Sequence, residues 1–534
     1  MNVKVCVESK NRTIVEGPPG TGKTTFLLDR VEELLKQNIN IENIGFFSFT
    51  VKATQEAKTR ALEKFKIDPK KFRYFRTLHS LAHSISKGGP TSFFDDDEKK
   101  LFCIKNNLSY KPGDTSVRTM HGSSIINLIN LAKNRMIGLE KQYHDICPPY
   151  PYPYLKRVCA TYETYKKENN FFDHADSIIK FNYLKDTPIL KALLIDEAQD
   201  LNHLQCEMTT LMEKTAEHTW YAGDDDQAIY KWSGANPYFF IKLTGNVVKL
   251  TESYRVPRII AKLAKEILPR IKTRRNKDWC SKAEEGSVHR HMYFSTLPII
   301  EELEKDKKTD QKTTCWYILS RNGYQLDPVK SYLKSEAVWY GNATREQGGF
   351  APAVEQEKIN AIYNWEGLKK GKKLNFEEVK HLYGYLHSLS SKSSPEDNGI
   401  TRGYKNWNTF DQNDTEKTYN YDELVEKHGL KVNIKYSWYD VLKKFTDIEI
   451  EYIRACRRRG EKLMQKPRVI LSTIHSIKGG EANHVALFTE INQIQNDSIM
   501  RGEDDEHRVF YVAVTRAKKS LHILESEKQW AYQI

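Results

Sequence analysis

A glycine-rich loop that ends in lysine and threonine is the first part of this sequence whose residue types could do chemistry. The pattern G-x-x-x-x-G-K-[ST] is matched by "GPPGTGKT", residues 17–24. Such a loop turns backbone N–H groups toward phosphate oxygens at the N-terminus of a helix. Lys23 is expected to reach the β- and γ-phosphates, and Thr24 to bind Mg²⁺. The candidate nucleotide-binding residues are Gly17, Pro18, Pro19, Gly20, Thr21, Gly22, Lys23, Thr24 and Thr25.

Two adjacent carboxylates form the second candidate group. Asp196 and Glu197 lie in "KALLIDEAQD" (191–200), directly after an apolar run. Because ligands of open α/β sheets bind at the carboxyl ends of strands, we expect both side chains beside the phosphate-binding loop. Asp196 can hold Mg²⁺, directly or through water, while Glu197 can orient and deprotonate an attacking water. The two segments together predict one site that hydrolyses ATP, with Mg²⁺ as cofactor.

Strand and helix patterns surround these segments. "RTIVE" (12–16) is short and β-branched, as a buried strand is, and "TTFLLDRVEELLKQ" (24–37) has apolar residues at helical spacing. Near the C-terminus, "VFYVAV" (509–514) is interpreted as a strand that leads into a helix. "CPPYPYPYL" (147–155) is too rich in proline for a helix or a central strand. We expect a rigid surface loop there, with a partner-binding segment as the alternative.

Length, charge and cysteine usage limit the class of protein. With 534 residues the chain is expected to divide into about three or four units, at roughly 100–200 residues per domain. Its formal charge of +13 favours an anionic partner, with nucleic acid as the first candidate. The eight cysteines form no C-x-x-C pair, so we expect reduced, structural thiols. Because no apolar signal core or long apolar run occurs, we expect a soluble, cytoplasmic protein (host cytoplasm if viral) without a membrane partner.

Further segments follow in a fixed order along nearly the whole chain. They are "FFSFTVKATQEAKTR" (46–60), "RTLHSLAHSI" (76–85), "FFDHAD" (171–176), "AGDDDQAIYKWSGA" (222–235), "LTESYR" (250–255), "STIHSIKGGEANHV" (472–485) and "VFYVAVTRAKKSL" (509–521). With the phosphate-binding loop and the carboxylate pair, this series resembles the motifs of superfamily 1 DNA helicases of the UvrD/PcrA/Rep type. A single motif of this kind is moderately specific, whereas the ordered set is highly specific.

The resemblance implies an α/β fold with two RecA-like P-loop motor domains, ATP in the cleft between them, and two mainly helical accessory insertions. "TCWYILSRNGYQLDPVKSYLKSEAVWYG" (314–341) resembles the strand–helix–strand that precedes the second insertion. The expected boundaries are 1–87 and 166–250 for the first motor domain, 88–165 for the first insertion, 251–354 and 461–534 for the second motor domain, and 355–460 for the second insertion.

The resemblance also implies roles around the nucleotide. Gln227 would contact the γ-phosphate and the attacking water. Arg255 and Arg516 would act as arginine fingers from the second motor domain, stabilising charge on the transferred phosphoryl group. Tyr254 would stack on adenine, and Glu481 would contact the ribose or the γ-phosphate side. The expected catalytic set is Lys23, Glu197, Gln227, Arg255 and Arg516.

Single-stranded nucleic acid requires aromatic platforms together with backbone contacts. By resemblance, the bases would stack on Phe49, Tyr230 and Trp232. The residues expected near DNA phosphates are Thr50, Lys52, Thr77, His79, Thr473, His475 and Lys478. For Phe49 a role in the core is the alternative, because "GFFSF" (45–49) also has the pattern of a buried strand.

Departures from the family pattern bear on these roles. The adenine-reading Gln of the family would fall near Asn2, so base selectivity is left open. Ser233 stands where the family usually has Arg, which removes one expected phosphate contact, and "KGGEA" (478–482) replaces "KGLEF". The second insertion is shorter than in bacterial UvrD-type enzymes, which leaves its grip on duplex open. Its basic clusters at 369–373 and 457–459 are solvated surface charge or, alternatively, contacts to duplex phosphates.

The resemblance implies an ATP-dependent DNA helicase that translocates 3′ to 5′ on single-stranded DNA and unwinds duplex in replication, repair or recombination. Its expected partners are single-stranded DNA, single/double-strand junctions, and replication or repair proteins. The alternative is a single-stranded DNA translocase that displaces bound proteins with little unwinding, since the same motor residues serve both. A helicase–nuclease subunit is disfavoured because the sequence ends soon after Arg516, and a binding module without ATPase activity because the catalytic set is complete.

Overall fold

The computed structural model describes residues 11–49, 51–85, 92–113, 116–292, 300–301, 315–344, 350–386, 417–526 and 528–534, and of Lys52 the backbone only. The chain separates into two compact units. Unit 1 comprises Met1–Arg290, Lys478–Glu481 and Thr489–Ile534, and unit 2 comprises His291–Ile477 and Ala482–Phe488. The predicted boundary at 87/88 and the position of Asn2 lie outside the described residues. The four-part division expected from the sequence stays a prediction.

Six parallel strands form the main sheet of unit 1. In hydrogen-bonded order they are Phe75–Thr77, Ile44–Ser48, Ala192–Asp196, His218–Gly223, Arg12–Glu16 and Asn246–Lys249. Successive residues of a strand enter two different hydrophobic cores, as Ile14 and Val15 do. Because both faces of the sheet are covered, its strands are continuous apolar runs. The strands predicted at "RTIVE" and "ALLI" are confirmed.

The helix predicted after the phosphate-binding loop is confirmed at Lys23–Lys36. It buries Leu27, Val31 and Leu34, which recur at helical spacing, in the same core as Val15. The further α-helices of unit 1 are Val51–Phe65, Leu78–Ile85, Asp96–Lys105, Gly122–Asn134, Leu139–Ile146, Tyr152–Glu168, His174–Leu184, His203–Glu213, Pro237–Lys242, Arg258–Ile267, Gln493–Met500 and Asp505–Val514. Its 3₁₀ helices are Ile41–Asn43, Pro69–Lys71, Ala198–Asp200, Asp225–Gln227, Lys231–Ser233 and Leu268–Arg270. Its other strands are Ser92–Phe93, Phe171–Phe172, Glu252–Ser253, Cys280–Ser281 and Ala517–Glu525, and the strand Ser287–Met292 begins in unit 1.

The region predicted as the first insertion is mainly helical. Its helices share a third hydrophobic core that includes Phe102, Ile125 and Leu155. The surface loop predicted at "CPPYPYPYL" is wrong for its second half, because a helix begins at Tyr152 and carries Pro153 in its first turn. Proline is tolerated there, since the N–H groups of a first helical turn have no partner within the helix.

The C-terminal part of unit 1 also differs from the prediction. "VFYVAV" lies in the helix Asp505–Val514, and the strand Ala517–Glu525 comes after Arg516 instead of before it. Every residue from Glu506 to Val514 is buried, so this helix has no polar face that would mark a helical period. A short apolar run of this kind cannot be assigned to a strand or a buried helix by its pattern alone. The position of Arg516 is therefore set by the end of the helix that precedes it.

Unit 2 has its own strands. Within it their order is Ala482–Phe488, Trp316–Ser320, Val469–Thr473, Tyr340–Ala343 and Phe350–Pro352, and the last two pair antiparallel while the others pair parallel. The strand–helix–strand predicted within 314–341 is confirmed, with the helix Asp327–Ser335 between the strands. The other helices of unit 2 are Gln356–Lys369, Phe376–Gly384, Tyr421–Glu426, Trp438–Val441 and Asp447–Arg458, with the 3₁₀ helix Gly323–Leu326 and the strand pair Leu374–Asn375 and Thr418–Tyr419.

Two further predictions concern the state of the cysteines and the presence of membrane-spanning helices. The cysteines in the described residues all carry free thiols, as predicted: Cys103, Cys147, Cys159, Cys206, Cys280, Cys315 and Cys456. Among the helices described, none is both long and apolar enough to cross a bilayer.

Candidate nucleotide and nucleic-acid site

The phosphate-binding loop joins the strand Arg12–Glu16 to the helix Lys23–Lys36. Thr21 Oγ1 donates to the Pro18 carbonyl at 2.8 Å, which closes the loop on itself. Lys23 Nζ donates to the Gly17 carbonyl at 2.7 Å, so the ammonium group lies folded over the loop. Thr25 is exposed on the first turn of the helix. The predicted nucleotide-binding residues thus form one continuous loop and helix start.

A glycine lets the segment "LTESYR" approach this loop closely. Ser253 Oγ donates to the Pro19 carbonyl at 2.7 Å, and Tyr254 N–H donates to the Gly20 carbonyl at 3.0 Å. Gly20 has a φ of +75°, and a Cβ built on it would lie 2.5 Å from Arg255 Cβ. Only glycine meets both requirements. Arg255 is therefore held against the loop, and the ring of Tyr254, 67% exposed, lies beside it.

Asp196 ends a buried strand next to the helix start. Thr24 Oγ1 donates to Asp196 Oδ2 at 2.7 Å. Burial raises the pKa of Asp196 to about 6, and the neighbouring Glu197 acts in the same direction, while the hydrogen bond from Thr24 opposes the rise. A hydroxyl and a carboxylate at a phosphate-binding loop are the hard oxygen ligands that Mg²⁺ takes, so these two residues fit the predicted metal role.

Glu197 has an unusual backbone conformation and a fixed side chain. Its φ of +54° lies in the left-handed region, which is uncommon outside glycine. Its N–H donates to Asp196 Oδ1 at 2.9 Å, and Gln199 Nε2 donates to Glu197 Oε2 at 2.5 Å. Burial alone would raise the pKa of Glu197, but Lys23, Lys478 and the Gln199 hydrogen bond outweigh burial and lower it. The carboxylate is therefore ionised at neutral pH, as a group that orients or deprotonates water must be.

Arg516 is a buried cation that contacts Gln227. Its side chain is 2% exposed, and Nη2 donates to Gln227 Oε1 at 2.7 Å. The other acceptors are the carbonyls of Val512 and Gly480, at 2.9 and 3.3 Å, and Thr515 Oγ1 at 3.2 Å. Burial and Arg255 lower the pKa of Arg516 to about 9, which still leaves it charged at neutral pH. Since none of these four acceptors is a carboxylate, the guanidinium is suited to receive an anionic ligand.

Glu481 belongs to the same group of side chains. Lys518 Nζ donates to its Oε1 at 2.9 Å, and Arg255 Nη1 donates to its Oε2 at 3.3 Å. Burial would raise the pKa of Glu481, but Lys518 and Arg255 together lower it. Arg255 is therefore held between the phosphate-binding loop and a carboxylate predicted to face the nucleotide.

Lys478, for which a DNA-phosphate contact is predicted, has two acceptors within unit 1. Its Nζ donates to Asp200 Oδ1 and to the Gln227 carbonyl, each at 2.6 Å, and lies 4.9 Å from the centroid of the Tyr230 ring. Burial raises the pKa of Asp200 to about 7, although Lys478 opposes this. Lys478 thus connects the backbone of the predicted γ-phosphate sensor to an aromatic ring predicted to bind a base.

Lys478→Met is expected to lower DNA-stimulated ATP turnover by about 10-fold or more, because a hydrogen bond to a charged group contributes roughly 1.5–3 kcal/mol. ATP affinity should change much less, since Lys478 contacts no residue of the phosphate-binding loop. Turnover with and without single-stranded DNA should be measured beside Lys528→Met, which removes a lysine paired with Glu490 at 2.9 Å elsewhere in unit 1. Unchanged DNA stimulation in Lys478→Met would contradict this linking role.

The three aromatic residues predicted to stack on bases lie together. Phe49 follows the strand that ends at Ser48, and its ring stacks on Tyr230 with 5.3 Å between centroids and 25° between planes. Tyr230 in turn meets Trp232 edge to face at 6.4 Å, and Trp232 is 43% exposed. The core phenylalanines of this strand are Phe46 and Phe47, which are fully buried. Phe49 lies outside the strand, so the aromatic group has the form of a stacking platform.

A cavity of about 320 Å³ opens beside this platform. Phe49 and His79 line it on one side, and Asn134, His174 and Ser233 are among its other walls. The small side chain at 233 leaves this space open where the family usually has arginine. The cavity therefore offers aromatic, imidazole and amide groups together, which are the groups that bind unstacked bases.

Thr77 and His79 lie at the start of the helix Leu78–Ile85. The Ser80 N–H donates to Thr77 Oγ1 at 3.2 Å, so the buried threonine caps this helix. The ring of His79 meets that of His174 at 5.0 Å. Burial, with a smaller effect of His174, lowers the pKa of His79 to about 3. The imidazole is therefore neutral at physiological pH, which suits a hydrogen bond more than a charge contact.

Of the other residues predicted near DNA, two lie in unit 2 and the side chains of two lie outside the described residues. Thr473 ends a strand of unit 2, and its hydroxyl lies 2.9 Å from Ser476 Oγ. His475, also in unit 2, is half-buried. Thr50 and the Lys52 side chain lie outside the described part of the chain. The DNA-contact roles of all four stay predictions.

Several residues around the site were not identified from the sequence. Gln199 orients Glu197, Asp200 receives Lys478, and Asp224 accepts from Gln227 Nε2 at 2.8 Å. Each lies within a motif segment described above, so its position next to predicted site residues was the available signal. Lys277, which donates to Asp224 Oδ1 at 2.8 Å, stands outside every such segment.

Comparison with known families bears on the whole chain. Residues 2–247 match the UvrD/REP helicase N-terminal domain, and residues 352–528 match the UvrD-like helicase C-terminal domain. The two matches together cover well over half of the chain. They confirm the predicted fold class, α/β with two RecA-like motor domains.

Individual relatives agree with these matches. The chain is 25% identical to a "Probable DNA helicase II homolog" of Mycoplasma pneumoniae, over 96% of this chain and 82% of that protein. It is 22% identical to a "Putative ATP-dependent DNA helicase YjcD" of Bacillus subtilis, over 98% and 78% of the two chains. It is 26% identical to an "ATP-dependent DNA helicase Rep" of Buchnera aphidicola, over 50% and 42%. The chain therefore belongs to the UvrD/Rep family and is an ATP-dependent DNA helicase of this type.

Proposed function

We propose that this helicase moves 3′ to 5′ along single-stranded DNA and unwinds duplex at single/double-strand junctions. The observation that carries the proposal is the position of Gln227. Its side chain accepts from Arg516 at 2.7 Å, and its carbonyl accepts from Lys478, which lies over the Tyr230 ring. A residue held by a candidate arginine finger on one side and by the aromatic platform on the other can report the state of ATP to the DNA. The direction follows from similarity to UvrD-type proteins.

ATP hydrolysis is assigned to the residues of the phosphate-binding loop and its neighbours. Thr24 and Asp196 would hold Mg²⁺, which neutralises phosphate charge when bound. Glu197 orients the attacking water and takes its proton. Lys23 and Arg516 stabilise the negative charge that develops on the transferred phosphoryl group.

The remaining nucleotide contacts follow from the same geometry. Arg255 joins the cations around the phosphates, held at the loop through Gly20. Tyr254 presents an exposed ring to adenine, and Glu481 contacts the ribose or the γ-phosphate side. Gln227 senses the γ-phosphate through its amide. Loss of the phosphate would release that amide, and the change would reach Lys478 through the Gln227 backbone.

DNA is proposed to cross the platform made by Phe49, Tyr230 and Trp232. Stacking on such rings is tolerant of sequence, because every base has a π-face. The phosphate contacts proposed from the sequence come from Thr50, Lys52, Thr77, His79, Thr473 and His475. For Lys478 we propose the linking role described above instead of a phosphate contact.

The wider setting is also a proposal. We infer four parts with the boundaries given in the sequence analysis, work in replication, repair or recombination, and partners among the proteins of those processes in the cytoplasm. The same motor residues serve unwinding and protein displacement, so the translocase alternative becomes an outcome of the following test.

The test uses duplexes with a 3′ or a 5′ single-stranded tail, with ATP consumption followed in parallel. Displacement of the strand on the 3′-tailed substrate alone is the expected result. ATP consumption on both substrates without displacement would instead support a translocase that strips bound proteins. Preference for the 5′ tail would overturn the proposed direction.

Trp232→Ala is expected to weaken single-stranded DNA binding by about 10-fold or more, since one stacked base contributes roughly 1–3 kcal/mol. DNA-stimulated turnover should fall with it, while ATP affinity without DNA stays nearly intact, because the ring touches no phosphate ligand. Tyr183→Ala, which removes an aromatic ring 83% exposed, is the control. Equal loss of ATP binding in Trp232→Ala would show that this tryptophan is no DNA platform.

A further inference from the structure

Three consecutive buried aspartates precede Gln227. Asp224, Asp225 and Asp226 are each at most 1% exposed. Burying one carboxylate costs roughly several kcal/mol of folding free energy unless a partner neutralises its charge. The neutralising groups come from one segment, "TRRNK" (273–277), which no motif identified in the sequence includes.

Lys277 is the centre of this neutralisation. Its side chain is 2% exposed, and its Nζ lies 2.8 Å from Asp224 Oδ1 and 3.1 Å from Asp226 Oδ2, with a further contact to Asp225 Oδ1. Arg274 donates to both oxygens of Asp226, at 2.7 and 2.8 Å. Burial would lower the pKa of Lys277, but the three carboxylates outweigh it and raise the pKa. Lys277 is therefore a buried cation, held in place by the three aspartates that precede Gln227.

The contact from Lys277 to Asp224 leaves the second oxygen of that carboxylate for Gln227. Gln227 Nε2 donates to Asp224 Oδ2 at 2.8 Å. An ionised carboxylate only accepts hydrogen bonds, so it must face the NH₂ end of the amide. The amide oxygen then points to the opposite side, where it accepts from Arg516 Nη2 at 2.7 Å. Only one of the two amide orientations satisfies both partners.

The backbone of Asp224 orients a second amide in the same way. Asp224 N–H donates to Gln199 Oε1 at 2.9 Å. The NH₂ end of Gln199 is then left to donate to Glu197 Oε2 at 2.5 Å. Asp224 thus contacts both amides, Gln227 through its carboxylate and Gln199 through its backbone N–H, and Lys277 contacts the carboxylate.

We propose that Lys277 is a positioning residue for ATP hydrolysis, which acts through Asp224 to hold the Gln227 amide in the orientation that faces Arg516. The proposal rests on the proposed role of Gln227 at the γ-phosphate. It adds a residue that acts through the aspartates beside Gln227 and that comes from a segment outside the helicase motifs identified above.

The first experiment is a double-mutant cycle on ATP turnover with Lys277→Met and Gln227→Ala. Lys277→Met is expected to lower kcat by about 10-fold or more, less than the roughly 10²–10³ lost with a direct transition-state donor. Since Lys277 acts through Gln227, the double variant should be no slower than Gln227→Ala alone. Lys265→Met, which breaks an exposed pair with Asp278 at 2.8 Å, is the control and should leave kcat unchanged.

A second pair of variants keeps the proposal testable if Lys277→Met fails to fold. Asp224→Asn and Asp225→Asn each neutralise a buried partner of Lys277, but only Asp224 contacts Gln227. We expect Asp224→Asn to lower kcat, because the single oxygen of the asparagine amide cannot accept from both Lys277 and the Gln227 amide, as the two carboxylate oxygens do. Asp225→Asn should keep kcat near that of the unaltered protein, with thermal unfolding measured for both.

The outcomes distinguish a failure of the sensor role of Gln227 from a failure of the positioning role of Lys277. If Gln227→Ala leaves turnover unchanged, the proposed sensor role fails. If Gln227→Ala lowers turnover but the effects of Lys277→Met and Gln227→Ala multiply, or Asp224→Asn and Asp225→Asn behave alike, the positioning role of Lys277 is overturned and the sensor role stands.

Discussion

Replacing Arg516 by alanine is expected to reduce ATP turnover by about 10³–10⁵-fold, the range by which arginine fingers accelerate phosphoryl transfer. The guanidinium is buried, donates to Gln227 Oε1 at 2.7 Å, and has no carboxylate among its hydrogen-bond acceptors. Its charge is therefore available for the phosphoryl group, and it matters most when charge develops in the transition state. ATP affinity should weaken much less than turnover.

The measurement for Arg516 is nucleotide affinity and turnover in the same preparations. Arg516→Lys should rescue poorly, because a point charge cannot reproduce the planar fork that contacts Gln227 and the Gly480 carbonyl together. Arg258→Ala, at an exposed pair with Glu285, serves as the control for loss of an arginine. Near-normal turnover in Arg516→Ala would mean that Arg516 only supports the fold of unit 1.

Glu197→Gln is expected to bind ATP but to lower turnover by about 10²–10⁴-fold, as loss of a positioned general base does. Glutamine keeps the size of the side chain and the acceptor for Gln199, so the change is limited to charge and basicity. The ATP-bound protein should then hold single-stranded DNA without releasing it through hydrolysis.

Single-turnover hydrolysis and DNA binding in the presence of ATP test Glu197→Gln directly. Glu217→Gln, at an exposed carboxylate that pairs with Lys191, is the matched control. Turnover that survives Glu197→Gln would assign the water-activating role to another carboxylate, with Asp200, three positions further along the chain, as the first candidate.

The phosphate side of the site was predictable because its residues adjoin elements that local sequence identifies. The loop at 17–24 and the pair Asp196 and Glu197 each follow a short apolar run, and each run is a buried strand. The chemistry then lies at the strand ends, where an open sheet binds its ligand.

The contacts that join distant segments could not be predicted from pattern. Lys478 and Asp200 are separated by 278 positions, and Lys277 and Asp224 by 53. A lysine among many charged residues has the pattern of solvated surface, and only the folded chain shows that these two are buried. Similarity to the helicase motifs suggests a DNA phosphate for Lys478, and its contact with the Asp200 carboxylate is one that the motif alone does not show.

The secondary-structure prediction was wrong where complete burial removed the apolar and polar spacing that marks a surface helix. The helix Asp505–Val514 is buried along its last nine residues, so its apolar run looked like a strand. At Pro153 the prediction treated proline as a helix breaker, but the first turn of a helix accepts it. In both places the tertiary position of the segment, which the sequence does not state, decided the structure.

The link between ATP hydrolysis and single-stranded DNA is tested most directly by ATP turnover with no DNA, with single-stranded DNA, and with blunt duplex of the same sequence. Gln227 lies between Arg516 and Lys478, and Lys478 contacts the ring of Tyr230. We therefore predict that single-stranded DNA raises kcat strongly and that blunt duplex raises it far less. Equal turnover under all three conditions would contradict the link.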